Sequence, residues 1–165
     1  MNARLNRTIS IGVLAVIVAD WFSKVWVATR MAIGETVALI DGWLYLAHRK
    51  NTGVAFSMFA DLPEAWRVPV LSAAGLVGVI LFAWLVRTTH DLVARAAAAL
   101  VLAGAIANLG DRLVNGHVTD FVLMRYFPFV FNLADAAITL GAVLLTLRMV
   151  AGKMEAAPAP AGEPT

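Results

Sequence analysis

The residues of this sequence with the clearest capacity for chemistry are three aspartates in its second half. Asp111 ends one apolar run, Asp120 lies in the short segment that follows, and Asp135 lies near the start of the next apolar run. Two carboxylates that share a dry pocket cannot both ionise comfortably, so one of them keeps a proton. Such a pair can activate water and protonate a peptide carbonyl, as aspartic peptide hydrolysis requires. The same acids could instead be structural, held by Arg112, or relay protons in a transporter.

Amide and guanidinium side chains accompany these acids. Asn108, Asp111 and Arg112 are three and four positions apart, so they share one face of a helix. Asn132 and Asp135 are likewise three apart at the start of the following run. Because the connection between the two runs is short, their facing ends lie at the same membrane surface. We therefore expect the three acids to converge on one shallow pocket, with the asparagines and the arginine around them.

Two further motifs carry polar residues. Asp20 and Lys24 are four apart in the first apolar run, and this spacing allows an ion pair on one helix face. A structural pair that neutralises itself inside a helix bundle is the simpler interpretation. Asn51 and Gly53 are typical of a turn with unusual backbone angles. On residue chemistry alone, their segment is a structured loop.

The sequence gives little support for catalysis by cysteine, serine or a metal ion. The chain has no cysteine, which excludes thiol nucleophiles, zinc thiolates and iron–sulfur clusters. No serine lies in a Gly-x-Ser-x-Gly motif, and Ser23 faces away from the adjacent Lys24. The 3 histidines do not form a His-Glu-x-x-His zinc motif. We expect no metal and no organic cofactor.

Composition determines the setting in which these groups must work. Of the 165 residues, 61% are apolar and 15% are charged, whereas a soluble domain carries about 25% charged residues. The chain is therefore expected to be an integral membrane protein, and its net charge of +2 does not indicate nucleic-acid binding. At about 20 residues per spanning helix, the apolar runs predict four transmembrane helices, at about 9–29, Val68–Val86, 92–112 and Phe129–Met149.

The segment between the first two helices predicts a small extramembrane sheet, within about residues 30–66. Thr36–Ile40 and Trp43–Ala47 are strand-like and are separated by the turn signal Asp41-Gly42. The segment Asn115–Phe127 is expected to be a short connection with a turn at its start. The predicted fold is an all-α membrane protein, with four transmembrane helices and a small β-sheet between helices one and two.

The chain is expected to form one domain over residues 1–150. The Ala/Pro-rich residues 151–165 lack core-forming side chains and are expected to form a disordered tail. Four spans place both termini on the same side of the membrane. Lysines and arginines near the two surfaces are equally numerous, so the charge bias alone does not decide which side is cytoplasmic.

Together, these motifs resemble those of the lipoprotein signal peptidase family, also called signal peptidase II. The resemblance covers roughly residues 15–140 and rests on five boxes in the family's order. They are Asp20-x-x-x-Lys24, Asn51-Thr-Gly53-Val-Ala55-Phe56, Asn108-x-x-Asp111-Arg112, Val118-x-Asp120-Phe121 and Phe131-Asn132-x-Ala134-Asp135.

The resemblance implies an intramembrane aspartic endopeptidase of the bacterial inner membrane, with cytoplasmic termini and an active site toward the outer face. It implies cleavage of prolipoproteins just before a diacylglyceryl-modified cysteine, and inhibition by globomycin-type peptides. The catalytic pair carries over to Asp120 and Asp135. Residues implied to bind substrate or to support the pocket are Asn51, Gly53, Asn108, Asp111, Arg112, Asn132, Asp20 and Lys24.

Two alternatives come from other functional classes. A small proton-coupled transporter subunit could use Asp20, Lys24, Asp120 and Asp135 as a relay. A non-catalytic membrane assembly factor would need the polar groups only for packing. Proton flux in liposomes would identify the transporter, whereas cleavage of a lipidated precursor would identify the peptidase.

Overall fold

The structure is a computed structural model that describes residues 3–53 and 63–155. Its helices are α1 (Ala3–Arg30), α2 (Glu64–Thr88), α3 (Leu92–Asn115) and α4 (Leu133–Glu155). Each contains a segment of 20 to 25 residues that is apolar enough to cross a membrane. A span of about 20 residues matches a hydrocarbon core about 30 Å thick. The prediction of four transmembrane helices is confirmed.

Helix α3 is the centre of the bundle and packs against the other three helices. Its buried face is rich in alanine, and small side chains let neighbouring backbones approach closely. A Cβ atom placed on Gly104 would overlap the carbonyl oxygen of Ala134 on α4. One placed on Gly141 of α4 would lie 2.6 Å from the carbonyl oxygen of Ala97 on α3. These two glycines therefore permit the close α3–α4 packing that brings the ends of both helices together.

The extramembrane sheet has four antiparallel strands in the order β1-β2-β3-β4. They are β1 (Thr36–Ile40), β2 (Leu44–Asn51), β3 (Val118–Met124) and β4 (Val130–Phe131). The predicted sheet between the first two helices is confirmed, and the turn closes with a hydrogen bond from the Trp43 N–H to the Ile40 carbonyl (3.0 Å). The segment expected to be a short connection supplies β3, because β2 offers a free edge with which β3 pairs.

The sheet is held against the end of α1 by a small apolar core. Val27 of α1 and Met31, the residue after α1, pack with Phe121 of β3 in this buried cluster. Opposite Phe121, β2 carries two residues, Ala47 and His48, because the register shifts between Leu46 and Arg49. This bulge buries both residues and increases the local twist of the strand pair. The core and the bulge together fix β3 relative to α1.

Helix α4 begins at Leu133, whereas the sequence predicted a start at Phe129. The intervening residues pair as β4, and Asn132 then stands immediately before the first helical turn instead of inside it. At the other end, α4 continues to Glu155. Residues 156–165 of the predicted tail lie outside the described residues, as do residues 54–62, which include Val54, Ala55 and Phe56 of the second motif.

Candidate active site

Asp120 lies on β3 with its carboxylate buried between two asparagines. Only 3% of the residue is exposed. Asn51 donates from Nδ2 to Oδ2 (2.9 Å), and Asn132 donates from Nδ2 to Oδ1 (2.7 Å). Burial raises the pKa of Asp120 to about 7, helped by the nearby charge of Asp135 and opposed by the two amides and by Lys24. At neutral pH this carboxyl group is therefore divided between its acid and its ionised form.

Asp135 is the third residue of α4, where it takes part in capping the helix. Its backbone N–H donates to Asn132 Oδ1 (2.9 Å), and its Oδ2 accepts from the Asn132 N–H (3.2 Å). This reciprocal pair is a capping box with asparagine and aspartate in the two capping positions. Asp135 Oδ1 also accepts from Asn108 Nδ2 (2.8 Å). The carboxylate is thus fixed by α3 on one side and by the start of its own helix on the other.

Asn132 connects the two carboxylates. It is fully buried, its Nδ2 donates to Asp120, and both its Oδ1 and its N–H are engaged by Asp135. One side chain therefore sets the distance and orientation of both acids. The sequence placed Asn132 beside Asp135, but it did not predict the bond to Asp120.

Lys24 supports this pair from α1. Its Nζ lies 2.7 Å from Asp20 Oδ2, 2.8 Å from Asn108 Oδ1 and 3.4 Å from Asp111 Oδ2. An ammonium group has three donors and no acceptor, so all three are used and Asn108 must turn its oxygen toward Lys24. The NH₂ group of Asn108 then faces Asp135. Lys24 thereby positions Asp135 through Asn108.

Asp20 forms the predicted ion pair and also makes a contact that the sequence did not indicate. Its Oδ1 accepts the backbone N–H of Ala134 at 2.9 Å, and the residue is 1% exposed. The first N–H groups of a helix have no partner within the helix. An acid on α1 therefore caps α4, which fixes the height of α4 relative to α1.

Asp111 contacts Lys24 and otherwise binds residues at the end of α3 and at the start of β3. Its Oδ2 accepts the backbone N–H of Thr119 (2.7 Å), and its Oδ1 accepts from Asn115 Nδ2 (2.6 Å). Lys24 lies 3.4 Å from Asp111 and also binds Asn108, which donates to Asp135, so Asp111 is connected to Asp135 through these two residues. The contacts of Asp111 nevertheless secure the start of β3 to the end of α3.

The predicted loop residues form the wall next to Asp120. Asn51 Oδ1 accepts the backbone N–H of Gly53 (3.1 Å), which closes a turn, and its NH₂ group is left for Asp120. Arg112 donates from Nη2 to the Gly53 carbonyl (2.6 Å) and is buried. Arg112 thus ties this turn to α3. Among the described residues, no group of three or more potential metal ligands is found.

Comparison with known proteins shows one matching family and relatives that share most of this chain's length. The family described as Signal peptidase (SPase) II matches residues 12–151. A lipoprotein signal peptidase of Pseudomonas paraeruginosa is 42% identical over 144 residues, which are 84% of this chain and 85% of the relative. A lipoprotein signal peptidase of Halalkalibacterium halodurans is 34% identical over 146 residues, covering 87% and 92%. A solved bacterial membrane enzyme has the same fold, with a TM-score of 0.83 at 23% identity, covering 96% of this chain and 94% of that one.

Proposed function

Because this chain belongs to the signal peptidase II family and is therefore a multi-pass membrane protease, we propose that it is an aspartic endopeptidase of lipoprotein maturation. It removes the signal peptide from diacylglyceryl-modified prolipoproteins by cutting just before the lipidated cysteine. The transporter and assembly-factor alternatives are set aside, since neither class is a protease. The observation that carries the aspartic mechanism is the bridge from Asn132 to both Asp120 and Asp135.

The two carboxylates take complementary parts in the reaction. Asp120 holds the proton, in keeping with its pKa of about 7, and donates it to the scissile carbonyl oxygen. Asp135 is assigned the role of base, because its carboxylate accepts N–H groups from Asn108 and Asn132. It removes a proton from a water molecule while the water oxygen bonds to the carbonyl carbon. Asp135 then passes that proton to the cysteine nitrogen as the C–N bond breaks, and Asp120 recovers its own proton.

The position of the pair suits a lipid-anchored substrate. Acyl chains on the cysteine keep the scissile bond at the membrane surface, and Asp120 lies in the extramembrane sheet while Asp135 lies in the first turn of a spanning helix. The turn at Asn51 and Gly53, tied to α3 by Arg112, borders the bound peptide. We expect the protein to lie in the bacterial inner membrane, with cytoplasmic termini and with Asp120 and Asp135 toward the outer face. Globomycin-type peptides are expected to inhibit it.

Asparagine substitutions test this mechanism. Asp120→Asn and Asp135→Asn keep the shape of each side chain and remove its acid–base function, so each should lower cleavage by about 10³-fold or more. The substrate is a purified diacylglyceryl-modified precursor, and the new N-terminus of the product is sequenced. Asp41→Asn is the matched control, because Asp41 is an exposed acid in the β1–β2 turn.

Elution volume and helical content establish that each variant is folded. Full cleavage by a folded Asp120→Asn or Asp135→Asn protein would exclude the aspartic mechanism. A new N-terminus other than the lipidated cysteine would exclude the proposed cleavage position.

A further inference from the structure

A cavity lies where the end of α1 meets β2 and β3. It has a volume of about 440 Å³. The described residues that line it are Ala28, Met31, Ile33, His48, Lys50, Asn115, His117 and Thr119. The hydrogen bonds of Asp120 and Asp135 go to other residues, although Asn115 and the Thr119 N–H bind the neighbouring Asp111.

The cavity is on the opposite face of the β2–β3 pair from those carboxylates. Successive side chains of a strand point to opposite faces, and Lys50 pairs across the strands with Thr119. Lys50 and Thr119 therefore share a face, whereas their neighbours Asn51 and Asp120 share the other, where they are hydrogen-bonded to each other. The strand pair separates the two sites.

The polar side of the cavity is formed by Lys50, Thr119 and the rings of His48 and His117. Lys50 carries a positive charge, and Thr119 supplies a hydroxyl group. His48 Nδ1 lies 2.9 Å from the Met31 carbonyl oxygen, and His117 Nδ1 lies 2.8 Å from the Asn115 carbonyl oxygen. A carbonyl oxygen only accepts, so each Nδ1 carries its hydrogen, and each Nε2 can donate to a bound anion when the ring holds a second proton there. The described lining contains no carboxylate, which favours an anion.

The opposite side of the cavity is apolar and lies at membrane level. Ala28 is in the last turn of α1, and Met31 and Ile33 follow the end of its span at Arg30. A ligand here meets hydrocarbon on one side and cationic or hydroxyl donors on the other. Phospholipids are the molecules that present both chemistries at this depth.

We propose that this cavity binds the phosphodiester group of an anionic phospholipid. The phosphate is placed between Lys50 and Thr119, with His48 and His117 on either side, and the acyl chains lie along the end of α1. The site is separate from the peptidase pocket, and it can be occupied whether or not the proposed hydrolysis is correct.

Histidine signals provide the test, because the chain has only 3 histidines. The third, His90, lies between α2 and α3, at the opposite end of α3 from His117. The full-length protein, labelled in its imidazole rings and held in maltoside micelles, is titrated with short-chain phosphatidylglycerol and observed by NMR. We expect the His48 and His117 signals to move together and to saturate while the His90 signal stays in place.

Lys50→Met should weaken phosphatidylglycerol binding by about tenfold, the loss expected for one charge-assisted hydrogen bond. Arg30→Gln is the matched control, since it removes a charge from the same surface but not from this cavity. Unmoved His48 and His117 signals in the wild-type protein would overturn the proposal, and so would equal losses in the two variants. Equal shifts with inorganic phosphate alone would make this a free-anion site and overturn the lipid assignment.

Discussion

The hydrogen bond from Asn51 to Asp120 should control the pH range in which the enzyme works. Asn51 Nδ2 lies 2.9 Å from Asp120 Oδ2, and this bond stabilises the ionised carboxylate. Asn51→Ala removes the bond while Asn132 still holds the other oxygen. Without that donor, the ionised form becomes less favourable, so the pKa of Asp120 must rise.

The size of the rise follows from the energy of the lost bond. A hydrogen bond to a charged group contributes about 1.5–3 kcal/mol, and one pKa unit corresponds to about 1.4 kcal/mol. Because water can enter the space left by Asn51, we take the lower end and expect a rise of about one unit from the wild-type value of about 7. If Asp120 must be protonated, activity falls as pH rises through its pKa. At about pH 8 the active fraction should change from about one tenth in the wild type to about one half in the variant.

The assay is cleavage of a lipidated precursor, measured as kcat/KM from about pH 5 to about pH 9. The quantity to compare is the pH at which kcat/KM falls to half of its maximum on the alkaline side. This pH does not depend on any overall loss of rate. Thr52→Ala is the control, since Thr52 is the exposed neighbour of Asn51. An alkaline limb that stays in place or moves to lower pH in Asn51→Ala would refute Asp120 as the proton donor.

Two further predictions concern packing and metal independence. Gly104→Ala should destabilise the protein by about 1–3 kcal/mol, because its Cβ would overlap the Ala134 carbonyl oxygen. Gly110→Ala on the same helix meets nothing within 4 Å, so thermal unfolding in detergent should separate the two variants, and equal midpoints would contradict the packing argument. EDTA should leave precursor cleavage unchanged, because the proposed mechanism uses carboxylates and water alone; a loss of activity that added Zn²⁺ or Mg²⁺ restores would show that a metal takes part.

The sequence predicted the parts of the fold that depend on local pattern. Long apolar runs located the four spans, and the strand-like segment Thr36–Ile40 was located with its observed bounds. Gly116 marks the end of α3 through its left-handed conformation, with φ at 74°. Strand β3 was missed because it pairs with β2, about 70 residues away in the chain. Strand β4 was missed with it, because β4 pairs with β3.

In the candidate site, too, the sequence predicted contacts within one helix but not contacts between helices. Spacing along one helix predicted the Asp20–Lys24 pair, whose atoms are 2.7 Å apart. Spacing could not predict that Lys24 also binds Asn108, or that Asp20 caps α4 at Ala134. These contacts depend on how α1 packs against α3 and α4. The same limit applies to His48 and His117, which are far apart in sequence and line one cavity.

The contacts around the carboxylate pair join the two ends of the polypeptide. Asp20 and Lys24 emerge early from the ribosome, whereas Asp135 emerges only with the last span. A nascent chain without α4 lacks one of the two acids and the Asn132 bridge. Under the proposed mechanism, the chain therefore becomes able to hydrolyse peptides only when the final helix has inserted. Under the same mechanism, truncated copies that lack α4 would be inactive as proteases.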